Sequence, residues 1–426
     1  MSTIMAEEMA EQPAAIAATL EALRPLRARI AQLVGERRQI LFLARGSSDN
    51  AALYGRYLLE VHAGRTASLA APSVATHYRR ELDLSGALVV AISQSGQTEE
   101  IVQTQEWARR CGAVTMAVTN VEGSALAKDA DLALVTRAGP ERAVPATKTF
   151  TTQLTAMAVL ASALAPDPSA LDADLDRVPE EIAKLIANRT GVDDAVMLLA
   201  RTNEVLVSGR GLAYAAAVET ALKLEETCLR PVRGLSYADL KHGPIAIVDP
   251  QLVSIVVAAQ DGPMLEGLTE LLGDLRSRGA LTVGIGGDAV FAAAADVSVA
   301  GPGLPETVAP IGLVVAGQLL AEGLALALGL SPDAPRGLHK VTQTDVWEPA
   351  ANGVRRGTWN ASFPGSPGTI EGRMTIEPTA TGCRWHVEGS VRVKVPLLGG
   401  RIESFLAPLV ERLVDKQGEV LRDQLS

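Results

Sequence analysis

Short runs that are apolar at every position recur along roughly the first three quarters of the chain. The clearest runs lie at residues 40–43, 88–92, 205–207 and 255–258, and a longer alanine-rich or amphipathic segment follows each of them. A strand that is apolar throughout is typical of a parallel sheet, because helices cover both faces of such a sheet. The pattern therefore predicts an α/β fold with doubly wound parallel sheets.

This pattern occurs twice. Residues 40–46 and residues 205–211 each run from an apolar strand through an Arg-Gly turn into an alanine-rich helix. The register then persists, since residues 112–115 match 279–282, and residues 153–154 match 318–319. We interpret this as an internal duplication. The expected organisation is a helical segment at residues 1–24, a first α/β domain at 25–190, a second at 191–345 and a tail at 346–426.

The composition is that of a globular protein of two to three domains. The chain has 426 residues, of which 47% are hydrophobic, and its formal net charge of -10 disfavours a nucleic acid or an anionic membrane as a partner. Cys111, Cys228 and Cys383 are far apart and lack metal-ligand spacing, so we expect no metal, no cofactor and a cytoplasmic location. The N-terminus lacks the order of a signal peptide, and we expect residues 309–330 to form a buried helix rather than a membrane span.

A loop rich in hydroxyl groups follows the apolar run at residues 88–92. This hydroxyl loop, residues 93–98, reads Ser93-Gln94-Ser95-Gly96-Gln97-Thr98, and a helix is predicted to begin near Glu99. The first amides of a helix have no partner within it and lie at the positive end of its dipole, so they can bind a phosphate group. Taken alone, the loop could equally be an ordinary helix N-cap.

The corresponding loop of the second copy differs in charge. Ala259 stands in place of Ser93, and Asp261 stands in place of Ser95. A carboxylate would repel a phosphate group. We therefore expect only the first copy to bind phosphate.

Further motifs occur in a fixed order around the hydroxyl loop. They are EQP at residues 11–13, RGSSDNA at 45–51, ATKTFTTQL at 146–154, ALKLEE at 221–226, KHGP at 241–244 and RGLHK at 336–340. Over about residues 5–340 the chain resembles the tandem sugar isomerase (SIS) domains of the isomerase half of glucosamine-6-phosphate synthase and of related amino-sugar-phosphate deaminases. The resemblance implies two αβα sandwich domains and an enzyme that acts on carbons 1 and 2 of a 6-phosphosugar.

The resemblance also assigns substrate contacts in the first copy. The sugar 6-phosphate would be held by Ser47, Ser93, Gln94, Ser95 and Thr98, with Gly46 and Ser48 as further substrate-binding residues. The loop residues among these are also the ones that the pattern of hydroxyl groups selects.

Catalytic roles implied by the resemblance fall in the second copy and beyond it. Glu226 would move the proton between carbons 1 and 2, with Lys223 beside it on the same face of a helix. His242 would open the sugar ring from the partner subunit of a homodimer, and Lys340 would form a Schiff base with the open-chain ketose. Without the resemblance, Lys223 and Glu226 would be read as a surface ion pair and His242 as a structural residue.

Two departures from the family bear on the substrate. The chain opens Met1-Ser2-Thr3 rather than with the cysteine of a glutaminase domain, so we expect glutamine not to be an ammonia source. The run at residues 48–50 is similar to the deaminases and favours conversion of glucosamine 6-phosphate to fructose 6-phosphate and ammonia. Arg230 and Arg233 replace a usual His-Ala-Glu-like stretch, which leaves a deglycase or a plain phosphosugar isomerase as alternatives.

A hypothesis of another class is a non-catalytic SIS sensor that binds a phosphosugar and regulates a partner. Such sensors usually carry one SIS copy and need neither the glutamate nor the histidine of the second copy. This chain has both copies, together with Glu226 and His242. The sequence therefore favours the enzyme.

The tail has a different character. Three of the four tryptophans lie after residue 340, and residues 391–395 alternate apolar and basic side chains as in an antiparallel strand with one wet face. Apolar residues then recur at helical spacing over residues 402–413, after a Gly-Gly junction at 396–400. This short α+β appendage loosely resembles the second half of a helix-grip (START-like) domain, and we interpret it as a docking appendage or fusion remnant.

Overall fold

The computed structural model describes residues 2–336, 342–362, 368–379 and 382–393. The chain divides into two compact units, residues 1–335 and residues 336–426. The first unit contains both copies of the repeat. The division falls about ten residues before the expected start of the tail, because the first strand of the C-terminal sheet lies at residues 342–347 and pairs within that sheet.

The first copy is built on a five-stranded parallel sheet with helices on both faces. Its strands are β1 (Gln39–Leu43), β2 (Thr66–Leu69), β3 (Ala87–Ile92), β4 (Val114–Thr119) and β5 (Leu132–Val135). The sheet order is β2-β1-β3-β4-β5, and every neighbouring pair is parallel. The helices before and between these strands are α1 (Ile4–Ala10), α2 (Gln12–Leu23), α3 (Arg27–Val34), α4 (Ser47–His62), α5 (Ser73–Thr76), α6 (Glu99–Arg110) and α7 (Ala125–Asp129).

Three helices connect the first sheet to the second, and the second copy repeats the same plan. The connecting helices are α8 (Lys148–Leu164), α9 (Ser169–Ala187) and α10 (Val192–Leu199). The strands are β6 (Val205–Gly209), β7 (Val232–Ser236), β8 (Val253–Ala258), β9 (Leu281–Gly286) and β10 (Val297–Val299), in the order β10-β9-β8-β6-β7. The helices are α11 (Tyr214–Cys228), α12 (Tyr237–Lys241), α13 (Leu265–Ser277), α14 (Ala289–Ala294) and α15 (Ala309–Ala327).

The two sheet orders are the same when strands are numbered from the start of each copy. This confirms the prediction of two tandem doubly wound domains. In such sheets a ligand collects at the carboxyl ends of the strands, where the strand order reverses. In the first copy that position lies between β1 and β3, which carry Gly46 and the hydroxyl loop at their carboxyl ends.

One continuous hydrophobic core runs through both copies. It includes Phe42 and Leu154 from the first copy and Val207 and Leu319 from the second. Helices α8 and α15 are buried along almost their whole length, which explains why they are apolar all round rather than amphipathic. Helix α15 is long and apolar enough to cross a membrane, but most of it is buried inside the protein. It is a core helix, as expected for residues 309–330.

The C-terminal unit contains a four-stranded antiparallel sheet. Its strands, in sheet order, are β11 (Thr342–Trp347), β12 (Arg355–Ser362), β13 (Gly368–Thr379) and β14 (Gly382–Val393). Trp359, Ile370 and Met374 are buried on one face, while Arg373 and His386 are exposed on the other, so the strands alternate as the tail sequence predicts. The predicted helix at 402–413 and the junction at 396–400 lie outside the described residues.

Candidate functional site

The hydroxyl loop connects β3 to α6 at the carboxyl edge of the first sheet. Helix α6 begins at Glu99, where the sequence predicts it. The hydroxyls of Ser93 and Thr98 lie 3.0 Å apart, and Ser93 Oγ accepts a hydrogen bond from the amide of Gly96 at 3.2 Å. Ser95 Oγ accepts from the amide of Gln97, also at 3.2 Å, which leaves its own O–H available as a donor.

The start of α6 presents unpaired amides. Thr98 is the N-cap residue, yet its side chain makes no capping bond to the helix. Within the described part of the chain, the amides of Ser95, Thr98, Glu99 and Glu100 donate to no acceptor. Donors at the positive end of a twelve-residue helix suit an anion such as phosphate. Thr98 thus does not cap α6 through its side chain.

The carboxylate of Glu100, in the first turn of α6, forms an ion pair with Arg45, which follows β1. The guanidinium of Arg45 makes two bonds to Glu100, Nε to Oε2 at 2.9 Å and Nη2 to Oε1 at 3.2 Å. This bidentate pair offsets a carboxylate that would otherwise repel an anion at the helix start.

Gly96 is required by a close approach inside the loop. Its φ of 62° lies in the left-handed region. A β-carbon there would clash with Ser124 Oγ and would lie 2.9 Å from Thr119 Oγ1. The hydroxyl loop therefore packs tightly against the chain that follows β4, and only glycine fits at this point.

A buried charged cluster on α11 reaches the first copy. Lys223 Nζ lies 2.5 Å from Glu226 Oε2, 3.4 Å from Glu219 Oε1 and 3.3 Å from Ser47 Oγ, which begins α4. Lys223 and Glu219 are fully buried, whereas the side chain of Glu226 is 24% exposed. The pair Lys223 and Glu226 is therefore not a surface ion pair.

The cluster changes the protonation of its members. Burial is the largest influence on Glu219 and raises its pKa, and the positive charge of Lys223 and the hydrogen bonds from Asn50 and Ser47 offset only part of this rise. Burial alone would lower the pKa of Lys223, but the carboxylates of Glu219 and Glu226 outweigh it and the pKa is raised. Lys223 thus stays a cation next to Glu226, whose partly open side chain can reach a ligand.

Two members of the cluster were missed in the sequence analysis. Glu219 lies four residues before Lys223 on α11, and Asn50 Nδ2 donates to Glu219 Oε2 at 2.7 Å from α4. The i, i+4 spacing from Lys223 was a usable signal for Glu219. The contact from Asn50 could not be found this way, because it joins residues 169 positions apart.

The equivalent position in the second copy is filled by the protein itself. Asp261 Oδ1 accepts the amide of Glu306 at 2.6 Å, and a β-carbon at Gly262 would clash with Glu306 Oε2. At the strand end, a β-carbon on Gly211 would lie 2.9 Å from Met264 Cγ. Burial and the Asp261 carboxylate both raise the pKa of Glu306. These two carboxylates therefore lie beside the glycines at the strand ends of the second copy, where they would repel a phosphate group.

The remaining predicted residues are placed as follows. Gly46 is the N-cap residue of α4, with a φ of 58°, and the half-buried Ser47 and Ser48 form the first turn of that helix. Gln94 is half-buried within the hydroxyl loop. His242 is exposed at the end of α12, and in the part of the chain that is described its side chain does not join the Lys223 cluster. Lys340 lies outside the described residues.

The two arginines that depart from the family pattern have different surroundings. Arg230 is buried and donates to the carbonyl of Leu199 at the end of α10 at 2.6 Å, and burial lowers its pKa. Arg233 is exposed on β7. Arg230 therefore anchors a helix end.

The chain is similar in sequence to curated proteins. Glutamine–fructose-6-phosphate aminotransferase (isomerizing) from Thermococcus kodakarensis is 35% identical over 344 residues, which cover 79% of this chain and 57% of that protein. The corresponding protein from Pyrococcus horikoshii is 32% identical over 341 residues, with the same two coverages. The chain thus spans a little over half the length of these curated relatives.

Solved structures are similar over the same part of the chain. The C-terminal domain of glucosamine-fructose-6-phosphate aminotransferase from Francisella tularensis superposes with a TM-score of 0.70 and 27% identity, covering 79% of this chain and 99% of that domain. Glucosamine-6-phosphate deaminase from Thermotoga maritima has a TM-score of 0.62 at 24% identity, covers 79% of this chain and 98% of that one, and supports the fold alone.

Family models match both parts of the chain. A family described as a protein of unknown function (DUF2505) matches residues 334–425. The SIS domain model matches twice, at residues 33–163 and 198–322, which together make more than half of the chain. With two matches that coincide with the two parallel sheets, the chain belongs to the SIS domain family.

Proposed function

We propose that this protein catalyses aldose-ketose interconversion at carbons 1 and 2 of a 6-phosphosugar. The observation that carries the proposal is the contact of Lys223 Nζ with Ser47 Oγ, because it joins the charged cluster of the second copy to the first turn of α4. That turn and the hydroxyl loop follow neighbouring strands of one sheet. A sugar bound by its phosphate at the unpaired amides of α6 would extend toward Glu226.

Glu226 is proposed as the base. Interconversion passes through an enediol or enolamine, so one group must remove a proton from one carbon and return it to the next. A carboxylate that is partly exposed can do this, and the buried cation of Lys223 at 2.5 Å holds it in position. The same cation would stabilise negative charge that develops on the sugar oxygen.

The proposed substrate is an amino-sugar 6-phosphate. Both curated relatives act, by their names, on fructose 6-phosphate in an isomerizing amino-transfer reaction. For this chain we propose that glucosamine 6-phosphate isomerises to the 2-imine of fructose 6-phosphate, which water hydrolyses to fructose 6-phosphate and ammonia, or the reverse. A deglycase or a plain phosphosugar isomerase would use the same proton transfer.

The site is proposed to be shared by two subunits of a cytoplasmic homodimer. His242 is exposed and, among the described residues, makes no hydrogen bond or ion pair with the Lys223 cluster of its own chain, which is compatible with a role in the neighbouring site. There, His242 of the partner subunit would open the sugar ring. Lys340 would form the Schiff base with the open-chain ketose.

Purified protein incubated with glucosamine 6-phosphate, followed by assays of ammonia and fructose 6-phosphate, tests this function. We expect both products in equal amounts and none with Glu226→Gln. Glu225→Gln is the matched control, because Glu225 is exposed on the same helix, and it should retain activity. Binding of the phosphosugar without turnover of any 6-phosphosugar would contradict the enzyme and support the non-catalytic sensor.

A further inference from the structure

The hydroxyl loop is held from behind by the end of β4. The carbonyl oxygen of Gln94 accepts two hydrogen bonds from this neighbouring strand, one from Thr119 Oγ1 at 3.2 Å and one from the amide of Asn120 at 3.0 Å. Thr119 is fully buried and is the last residue of β4. The loop is thus held by one side chain and one backbone amide that are not part of it.

Fixing this carbonyl also fixes the next amide. In a trans peptide the C=O of one residue and the N–H of the next point in opposite directions. With the Gln94 carbonyl directed at Thr119, the amide of Ser95 points away from β4. That amide is one of those without an acceptor among the described residues.

The second copy does not have this arrangement. Strand β9 is the counterpart of β4, and it ends at Gly286, which has no hydroxyl. The amide of Gly287 donates to the carbonyl of Ala258, the last residue of β8, rather than to a carbonyl of the loop that follows this strand. The hydrogen bond from a strand-end hydroxyl to a loop carbonyl is therefore a feature of the copy that carries the hydroxyl loop.

We propose that Thr119 is a positioning residue for phosphate recognition. Its hydroxyl turns the Gln94 carbonyl toward β4 and so aims the Ser95 amide at the phosphate of the substrate. The inference rests on the proposed function, because it takes the hydroxyl loop as the site of the 6-phosphate. Thr119 is thus expected to affect how tightly the phosphate of the sugar is bound. It is not expected to affect proton transfer at carbons 1 and 2.

The test compares Thr119→Val with Thr119→Ser in the full chain. Valine keeps the branched shape but loses the hydroxyl, and serine keeps the hydroxyl. By calorimetry, we expect the dissociation constant for glucosamine 6-phosphate to rise about threefold to tenfold in Thr119→Val and to change less than about twofold in Thr119→Ser. KM should rise by the same factor with kcat unchanged. Binding of glucosamine, which lacks the phosphate, should not differ between the variants.

A structural role alone would give another result. The hydroxyl of Thr119 also accepts the amide of Val121 at 3.3 Å, so a lower melting temperature in Thr119→Val is compatible with either role. The inference would be overturned if Thr119→Val left the dissociation constant for glucosamine 6-phosphate unchanged. It would also be overturned if the variant weakened binding of glucosamine and of glucosamine 6-phosphate by the same factor. If Thr119→Val does not fold, Thr119→Ala removes the hydroxyl without placing a methyl group against the Gln94 carbonyl and is held to the same outcomes.

Ser95→Ala, measured in parallel, separates this inference from the proposed function. If Ser95→Ala does not weaken binding of glucosamine 6-phosphate, the hydroxyl loop is not the phosphate site, and this part of the proposed function is wrong. If Ser95→Ala weakens this binding and Thr119→Val does not, only the role assigned to Thr119 is wrong.

Discussion

Lys223 Nζ lies 3.3 Å from Ser47 Oγ, and this contact joins the two copies of the duplicated domain. Lys223 belongs to α11 of the second copy, and Ser47 begins α4 of the first. Neither copy alone therefore contains the complete candidate site. After the duplication the copies have diverged, since the first carries the hydroxyl loop and the second carries Asp261 and Glu306 at the corresponding strand ends.

Replacing Ser95 with alanine should weaken 6-phosphosugar binding about tenfold or more. The change removes a hydrogen bond to a charged group, which contributes about 1.5 to 3 kcal/mol. Ser95→Asp should weaken binding further, because the carboxylate repels the phosphate. Asp261→Ser in the second copy is the matched control and should leave the affinity unchanged. Titration calorimetry measures all three, and an unchanged affinity in Ser95→Ala would remove the hydroxyl loop from the site.

Glu226→Gln and His242→Ala should each be nearly inactive while still binding the phosphosugar. The glutamine variant has lost the base for proton transfer. The alanine variant has lost ring opening alone, so it should retain activity on a substrate that is already open-chain. Turnover assays with cyclic and open-chain substrates distinguish the two defects.

Mixing these two variants tests the shared site. If they are unfolded and refolded together, about half of the dimers should be mixed, and each mixed dimer has one site with both wild-type residues. Activity should return to roughly a quarter of the wild-type level. Absence of recovery despite proven subunit exchange, or a fully active monomer by light scattering, would contradict a shared site.

Lys223→Met should lower the free energy of unfolding by about 3–5 kcal/mol near neutral pH, because it leaves Glu219 buried without its cation. The pKa of Lys223 is raised above its ordinary value of 10.5, so its contribution is fully present below pH 10.5 and is lost as the pH rises through the folded-state pKa. The difference between wild type and variant should therefore shrink above pH 10.5.

Denaturant unfolding as a function of pH measures this difference. The double variant Lys223→Met, Glu219→Gln should recover most of the lost stability at neutral pH, since no buried charge is then left unpaired. A Lys223→Met protein as stable as wild type at neutral pH would show that the cluster is not a stabilising pair.

A chain that ends at residue 345 should stay folded and bind the phosphosugar. Residues up to 335 form one compact unit with a continuous core, and the C-terminal sheet has its own small cluster around Trp359 and Met374. Circular dichroism and calorimetry of the truncated chain check this. Complete insolubility would mean that the tail completes the core.

The local pattern of the sequence was enough to predict the fold. Short runs that are apolar at every position and are followed by longer alanine-rich or amphipathic segments are typical of strands buried on both faces, and β3 and β8 are buried at all six positions. The duplication followed from register alone, and the start of α6 at Glu99 followed from the hydroxyl loop before it. The alternation at residues 391–395 likewise predicted an antiparallel strand, and its first three residues belong to β14, which pairs antiparallel with β13.

Tertiary structure decided which of these residues share an environment. Their spacing places Lys223 and Glu226 on one face of a helix, but it does not show which elements cover that face. The same spacing is found in surface ion pairs and in buried ones. The covering elements come from far along the chain, as the bond from Asn50 to Glu219 illustrates. The bonds from Thr119 and Asn120 to the Gln94 carbonyl depend in the same way on which strand lies beside β3. Local periodicity reports only neighbours within a few residues, whereas burial and charge pairing are set by contacts between distant segments, so these properties of the site could be determined only from the folded chain.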